Sequence, residues 1–193
     1  KTGIGHYIAD FFAVHVKVVD PLDLRGKVSL PLQSTADRMT IGDVDKSTGI
    51  VVIKNGGKYS NTGSSAAGIT VGQKESGTLE VDGGKVELGQ KTLQLCAEEP
   101  STATVTIKNG GIVKTKGIVY GSGTGGATIT IDGGILKATA ADTLIPANDM
   151  LNVTVGSNGG TIDNGSYNVT IASAIGGAGG MTFTGGGTTT LNG

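Results

Sequence analysis

Short segments of this chain alternate strictly between apolar and polar residues. In Gly77–Asp82 (GTLEVD), Leu79 and Val81 share one parity, and Thr78 and Glu80 share the other. Val105 and Ile107 separate from Thr104 and Thr106 in the same way, and Ile129 and Ile131 from Thr128 and Thr130. Successive side chains of a strand point to opposite faces, so each segment predicts a strand with one buried and one wet face. Each ends in Asn or Asp followed by Gly-Gly, and a further apolar position follows the turn.

This cassette recurs. Gly-Gly pairs begin at Gly56, Gly83, Gly110, Gly133 and Gly159, at intervals of 27, 27, 23 and 26. The surrounding text reads GIVVIKNGGKYS, GTLEVDGGKVEL, ATVTIKNGGIVK, ATITIDGGILKA and LNVTVGSNGGTID. A shorter element precedes most of them: MTIG from Met39, ITVG from Ile69, LQLC from Leu93 and IVYG from Ile118. One unit is therefore a short strand, a Gly/Ser/Thr connection, a longer strand, a glycine turn and another strand. No unit alone buries enough surface, but stacked units share one core, each strand lying about 4.8 Å from its counterpart. Three positions after the first Gly of each pair stand Tyr59, Val86, Val113, Leu136 and Ile162. All are apolar or aromatic, and they predict one stacked internal column.

The expected fold class is all-β: a parallel β-helix, or β-solenoid, of about six or seven coils from Met39 onward, roughly 30 Å long. A string of β-hairpins is the structural alternative, since Asn-Gly or Asp-Gly between alternating strands is the strongest local hairpin signal. Near-constant spacing of one cassette favours parallel in-register ladders. Residues 1–38 follow another pattern. Ile8 to Val19 is strongly apolar, Arg25 to Leu30 reads as a further strand, and Asp23, Asp37 and Arg38 interrupt. This part is expected to be an irregular first coil or a cap over an open end, which solenoids need, or the tail of a preceding domain. The repeat region is 39–193.

Composition narrows the class. Of 193 residues, 35 are Gly and only 4 Pro, without the every-third-residue glycine of collagen. Hydrophobic residues make up 37% and the formal net charge is −1, which argues against disorder. The 15 basic and 16 acidic residues give no nucleic-acid footprint. No run approaches the ~18 apolar residues of a membrane helix, and the first residues lack a signal-peptide core. The chain is expected to be an interior piece or one whose leader was removed. The one cysteine, Cys96, excludes an internal disulfide and reads as a small buried hydrophobe.

The segment GITVGQKESGTLEVDGGKVELG resembles the degenerate repeats of bacterial autotransporter passengers. The closing stretch IGGAGGMTFTGGGTTTLNG, Ile175 to Gly193, is similar to the passenger-associated transport repeat. The parts that match are Gly179-Gly180-Met181, Gly185-Gly186-Gly187 and Thr190-Leu191-Asn192-Gly193, with Thr182 and Thr184 in its Thr/Lys-rich strand. The resemblance covers about Met39 to Gly193. It implies a right-handed parallel β-helix outside the cell, serving as stalk and folding scaffold of an adhesin, with this chain a fragment of a longer protein.

Candidate chemistry is sparse. A β-helix acting on polysaccharide needs clustered carboxylates, often with a basic residue, and aromatic platforms for sugars. The acids are Asp43 and Asp45, Glu98 and Glu99, and scattered Asp82, Asp132 and Asp163; aromatics are 4% with no Trp. The outward columns, Thr78, Thr104 and Thr128 and then Glu80, Thr106 and Thr130, hold small, uncharged or isolated groups. His6 and His15 both fall in the N-terminal part. Asp43 to Gly49 is partly like a calcium loop, but its glycine is one place late and the closing Glu is missing. Gly121 to Gly126 lacks the Lys-Ser/Thr of a phosphate loop and reads as a connection. Asn152, Asn164 and Asn168 head glycosylation triplets.

No catalytic, cofactor-binding or metal residue is therefore assigned, no cofactor is expected and the chain is not read as an enzyme. The expected role is a structural segment at the bacterial cell surface, outer-membrane-attached or secreted. The alternatives are a self-assembling filament module and a polysaccharide lyase or hydrolase. Expected partners are a host or neighbouring-cell surface or copies of the chain itself, with no nucleic acid and no small-molecule substrate. Any membrane contact would come through a part of the protein outside this chain. On sequence faces alone, Val113→Asp should destabilise far more than Lys114→Asp in thermal denaturation, because only the first buries a carboxylate.

Overall fold

The computed structural model describes residues 27–29, 34–36, 38–43, 48–61 and 63–193. They form twenty-one short strands and no helix. Each passage of the chain lays one strand on each of three faces. The first face stacks Lys27–Ser29, Gly49–Lys54, Gly77–Asp82, Ala103–Lys108, Ala127–Asp132, Leu151–Val155 and Ile175–Gly177. The second stacks Ser34–Ala36, Lys58–Asn61, Lys85–Glu87, Ile112–Thr115, Gly134–Ala138, Gly160–Asp163 and Met181–Thr184. The third is split into two sheets. Met39–Ile41, Ala67–Val71, Thr92–Leu95 and Gly117–Tyr120 form one; Thr143–Ile145, Val169–Ile171 and Thr189–Leu191 form the other.

Every ladder between these strands is parallel. The hairpin alternative is thereby overturned: the glycine turns are corners that carry the chain to the next face, and each strand pairs with the next passage. The chain is a β-solenoid, with a coil count close to the six or seven expected. The stack takes in Lys27–Ser29 and Ser34–Ala36 ahead of Met39. The apolar run Ile8 to Val19, with His6 and His15, lies outside the described residues.

The core is a set of columns running along the stack. Tyr59, Val86, Val113, Leu136 and Ile162 are consecutive register partners and fully buried. The Tyr59 hydroxyl donates to the Gly68 carbonyl at 3.1 Å, so the largest member of the column buries no unpaired polar atom. On the first face, Val51, Leu79, Val105, Ile129 and Val153 make a second buried column, and Ile53, Val81, Ile107, Ile131 and Val155 a third. The third face adds Met39, Ile69, Leu93 and Ile118.

The Gly-Gly corners show why both glycines are needed. The first of each pair has positive φ: 81° at Gly56, 71° at Gly83, 76° at Gly110 and at Gly133, 75° at Gly159. Only glycine enters that region without a Cβ penalty. The second sits against the preceding passage. A Cβ there would lie 2.5 Å from the Ile53 carbonyl oxygen at Gly84, 2.2 Å from that of Val81 at Gly111 and 2.4 Å from that of Ile107 at Gly134.

Lys114, outward by register, is not a neutral surface position, because its ammonium lies 3.0 Å from Glu87. An acid there would face Glu87 across the ladder, so exposed Thr104 is the proper control for the core test. Val113→Asp should cost several kcal/mol or abolish folding, while Thr104→Asp should stay within about 0.5 kcal/mol, measured by chemical denaturation. Equal costs would contradict the assigned faces.

Candidate functional site

The outward polar groups are organised by the stacking rather than scattered. Lys54, Asp82 and Lys108 are direct register partners, and Asp132 follows on the next strand. Charges thus alternate in sign along one column. Like charges placed directly opposite would repel, so alternation removes the penalty that in-register stacking otherwise imposes. Lys108 reaches Glu80 at 3.2 Å and Asp82 at 3.8 Å. The bond to Glu80 holds its ammonium above the ordinary lysine value. The reading of Glu80 as an isolated group is corrected accordingly.

The corners alternate as well. Lys54-Asn55-Gly56-Gly57 and Lys108-Asn109-Gly110-Gly111 are one residue longer than the intervening Asp82-Gly83-Gly84 and Asp132-Gly133-Gly134. Asn109 Nδ2 donates to Asp82 at 2.7 Å, and Asn158 donates to Asp132 through its backbone N–H at 2.9 Å and its Nδ2 at 3.0 Å. The true chemical repeat therefore spans two passages, an Asn corner seated on an Asp corner. The sequence carried this signal in the alternation of Asn-Gly-Gly with Asp-Gly-Gly.

A second charged cluster lies on the second face. Glu87 is held by Lys58 at 2.6 Å and Lys114 at 3.0 Å, and Lys137 reaches Asp163 at 2.5 Å. Hydrogen bonds from Lys58 and Lys114 hold Glu87 below its ordinary value of 4.5. Burial pushes Asp163 up, but Lys137 and the Gly165 N–H outweigh it and leave it lowered. These acids stay ionised at neutral pH, and each is tied to a lysine on an open face.

A groove of about 480 Å³ lies where the third face is split, between Gly117–Tyr120 and Thr143–Ile145. Two backbone donors that a ladder here would use are missing: the Thr143 N–H is turned to the Asp142 carboxylate at 2.8 Å, and the corner that follows has none. At the corner after each third-face strand, a backbone N–H reaches the carbonyl of the preceding passage. Gly72 bonds to Ile41 at 2.9 Å, Cys96 to Val71 at 3.0 Å, Gly121 to Leu95 at 2.8 Å, Ala172 to Ile145 at 2.8 Å and Asn192 to Ile171 at 2.9 Å. The residue at this corner after Thr143–Ile145 is Pro146, which has no N–H to give to Tyr120. The two strands meet at one end, where a Cβ on Gly117 would lie 2.5 Å from the Thr143 carbonyl oxygen, and no ladder joins them.

Lys116 and Asp142 pair at 3.2 Å on the groove's rim, with Thr92, Thr143 and Asn148 beside them. The Thr143 N–H, and then Lys116, keep Asp142 below the usual carboxylate range. The groove gathers one carboxylate and one ammonium. Two carboxylates and a lysine do meet at Glu80, Asp82 and Lys108, but on the flat outer surface of a sheet. Glu98 and Glu99 sit in a turn, Glu98 receiving a bond from Gln73 at 2.5 Å. Asp45 lies outside the described residues. Among the described residues, no group of three or more His, Cys, Asp or Glu is placed to hold a metal ion. Of the glycosylation triplets, Asn164 is buried and bonded through its side chain to Gly187 and Thr189.

Cys96 occupies the column where Gly42 and Gly72 have φ of 72° and 73°, and it adopts φ 48° itself. It is fully buried, as a small hydrophobe. Burial raises its thiol above 9.0, and burial together with the neighbouring Cys96 pushes Tyr120 up to about 12. The Tyr120 hydroxyl donates to the Gly125 carbonyl.

No protein-family model matches the chain, and neither a curated protein nor a solved structure matches it.

Two predictions follow from these environments. The Cys96 thiol should resist alkylation at mildly alkaline pH in the folded chain and react readily in denaturant; equal rates would contradict its burial. Glu87 has a folded pKa below its unfolded value, so its stabilising effect is complete above pH 4.5 and is lost as pH falls through the folded value. With both side chains about one-third exposed, the effect should be about 0.2–1 kcal/mol. Glu87→Gln should flatten the acid limb of a stability–pH curve by that amount.

Proposed function

We propose that this chain is a structural segment of a bacterial surface protein, a stalk or scaffold of an autotransporter-like adhesin. The observation that carries the reading is the unbroken in-register stack on two faces, with the outward charges Lys54, Asp82 and Lys108 alternating in one column. Such a ladder fixes length and stiffness while committing its polar side chains to one another. The closing glycine- and threonine-rich stretch, with its resemblance to a passenger-associated repeat, supports the surface setting. In this reading the chain lies outside the cell, carries out no reaction and takes no cofactor. Among the described residues, no helix is long and apolar enough to cross a membrane.

A second reading is a self-assembling filament module, favoured by the strictly parallel, in-register ladders on all three faces. An open strand edge with apolar columns is a template for further stacking.

Light scattering across a concentration series separates the two. A scaffold segment keeps a constant mass, whereas a filament module grows with concentration. Turnover of any polysaccharide in an activity screen would overturn both.

A further inference from the structure

The chain contains five Asn-Gly dipeptides, at Asn55, Asn109, Asn158, Asn164 and Asn192. Asn-Gly is the dipeptide most open to spontaneous ring closure, because glycine leaves its own amide nitrogen unhindered. The reaction needs two things from the structure. The Asn side-chain carbonyl carbon must be free to approach the next backbone nitrogen, and that nitrogen must be free to lose its proton.

Three of the five are denied both. Asn109 is held through its Nδ2 by Asp82 at 2.7 Å, and the Gly110 N–H donates to the Gly133 carbonyl at 2.7 Å. Asn158 is held by Asp132 at 3.0 Å, and the Gly159 N–H donates to Gly156 at 3.0 Å. Asn164 is buried, its side chain bonded to Gly187 and Thr189, and the Gly165 N–H donates to the Asp163 carboxylate at 2.7 Å. At each of these sites a nearby carboxylate or carbonyl also opposes formation of an amide anion.

Asn55 is different. It is exposed, and neither its side chain nor the Gly56 nitrogen has a hydrogen-bond partner among the described residues. We propose that Asn55 is a self-modifying deamidation site, and that the stacked corners silence Asn109, Asn158 and Asn164. The deprotonated nitrogen of Gly56 attacks the Asn side-chain carbonyl carbon. A carbon–nitrogen bond forms, ammonia leaves and a succinimide results. Water then opens the ring at either carbonyl, giving aspartate or isoaspartate. Water is the only co-reactant.

Asn55 matters for the fold because of where it sits. The corner after it is an Asp corner, and Asn55 Cβ lies 3.1 Å from where a Cβ on Gly83 would be. A new carboxylate there adds negative charge close to Asp82. An isoaspartate also lengthens the backbone of a turn that the Gly57 N–H closes on Lys54 at 2.8 Å. Modification at Asn55 therefore loosens one corner of the ladder. This property follows from corner geometry and is independent of the role proposed for the chain.

The test is a time course of the intact chain at mildly alkaline pH, in native buffer and in denaturant, read by peptide mapping with isoaspartate detection. In native buffer Asn55 should convert, with Asn109, Asn158 and Asn164 slower by about tenfold or more, since they react only through local opening. In denaturant all five should convert at comparable rates. Asp82→Ala should raise the native rate at Asn109 and leave that at Asn164 unchanged. The proposal is overturned if any of the three silenced sites keeps pace with Asn55 in native buffer, or if Asn55 stays intact there while converting in denaturant.

Discussion

Everything in this molecule depends on parallel, in-register stacking. Each residue lies directly against its counterpart in the passages before and after, about 4.8 Å away. A side chain is therefore judged by its column more than by its neighbours in sequence. Apolar columns satisfy this constraint easily: Val113 between Val86 and Leu136 fills space that both neighbours need filled. Polar columns are harder, because a repeated charge repels itself. The first face answers with alternation, Lys54 against Asp82 against Lys108, and Asn corners seated on Asp corners. The second face places Lys58 opposite Lys85 and Lys114 opposite Lys137, and Glu87 and Asp163 hold Lys58, Lys114 and Lys137.

The same constraint shows where one ladder fails. Along the third face, one backbone N–H per passage ties a corner to the carbonyl beneath it. Pro146 has no N–H, and at that passage the face separates into two sheets with a groove between. The first and second faces continue through the same region without a break, so the defect is confined to one side. A solenoid tolerates this because the other two ladders and the shared core hold the passages together. The groove lies at this break, with Lys116 and Asp142 neutralising each other on its rim.

Much of the fold was legible in the sequence. Period-two alternation assigned Leu79 and Val81 to the core and Thr78 to the surface, and the spacing of glycine pairs placed Tyr59, Val86, Val113, Leu136 and Ile162 in one column. The polar side was less legible. Glu80 reads as isolated in the linear text, and only register brings Lys108 to it. Lys114 reads as a bland surface residue until Glu87 lies beneath it. Pro146 was visible, but its effect depends on which carbonyl it faces, a fact that belongs to the stack.

The sequence by itself determined the strand faces, the corner glycines and the solenoid repeat. These rest on local rules: the two-residue pleat, the positive φ that only glycine adopts freely, and the return of one cassette at near-constant spacing. The tertiary structure alone decided which charges pair, where the third face parts and which Asn-Gly corners are held. Each of those depends on contacts between residues some 23 to 29 positions apart. Their partner is chosen by register, and register is fixed only when the passages are laid one upon another.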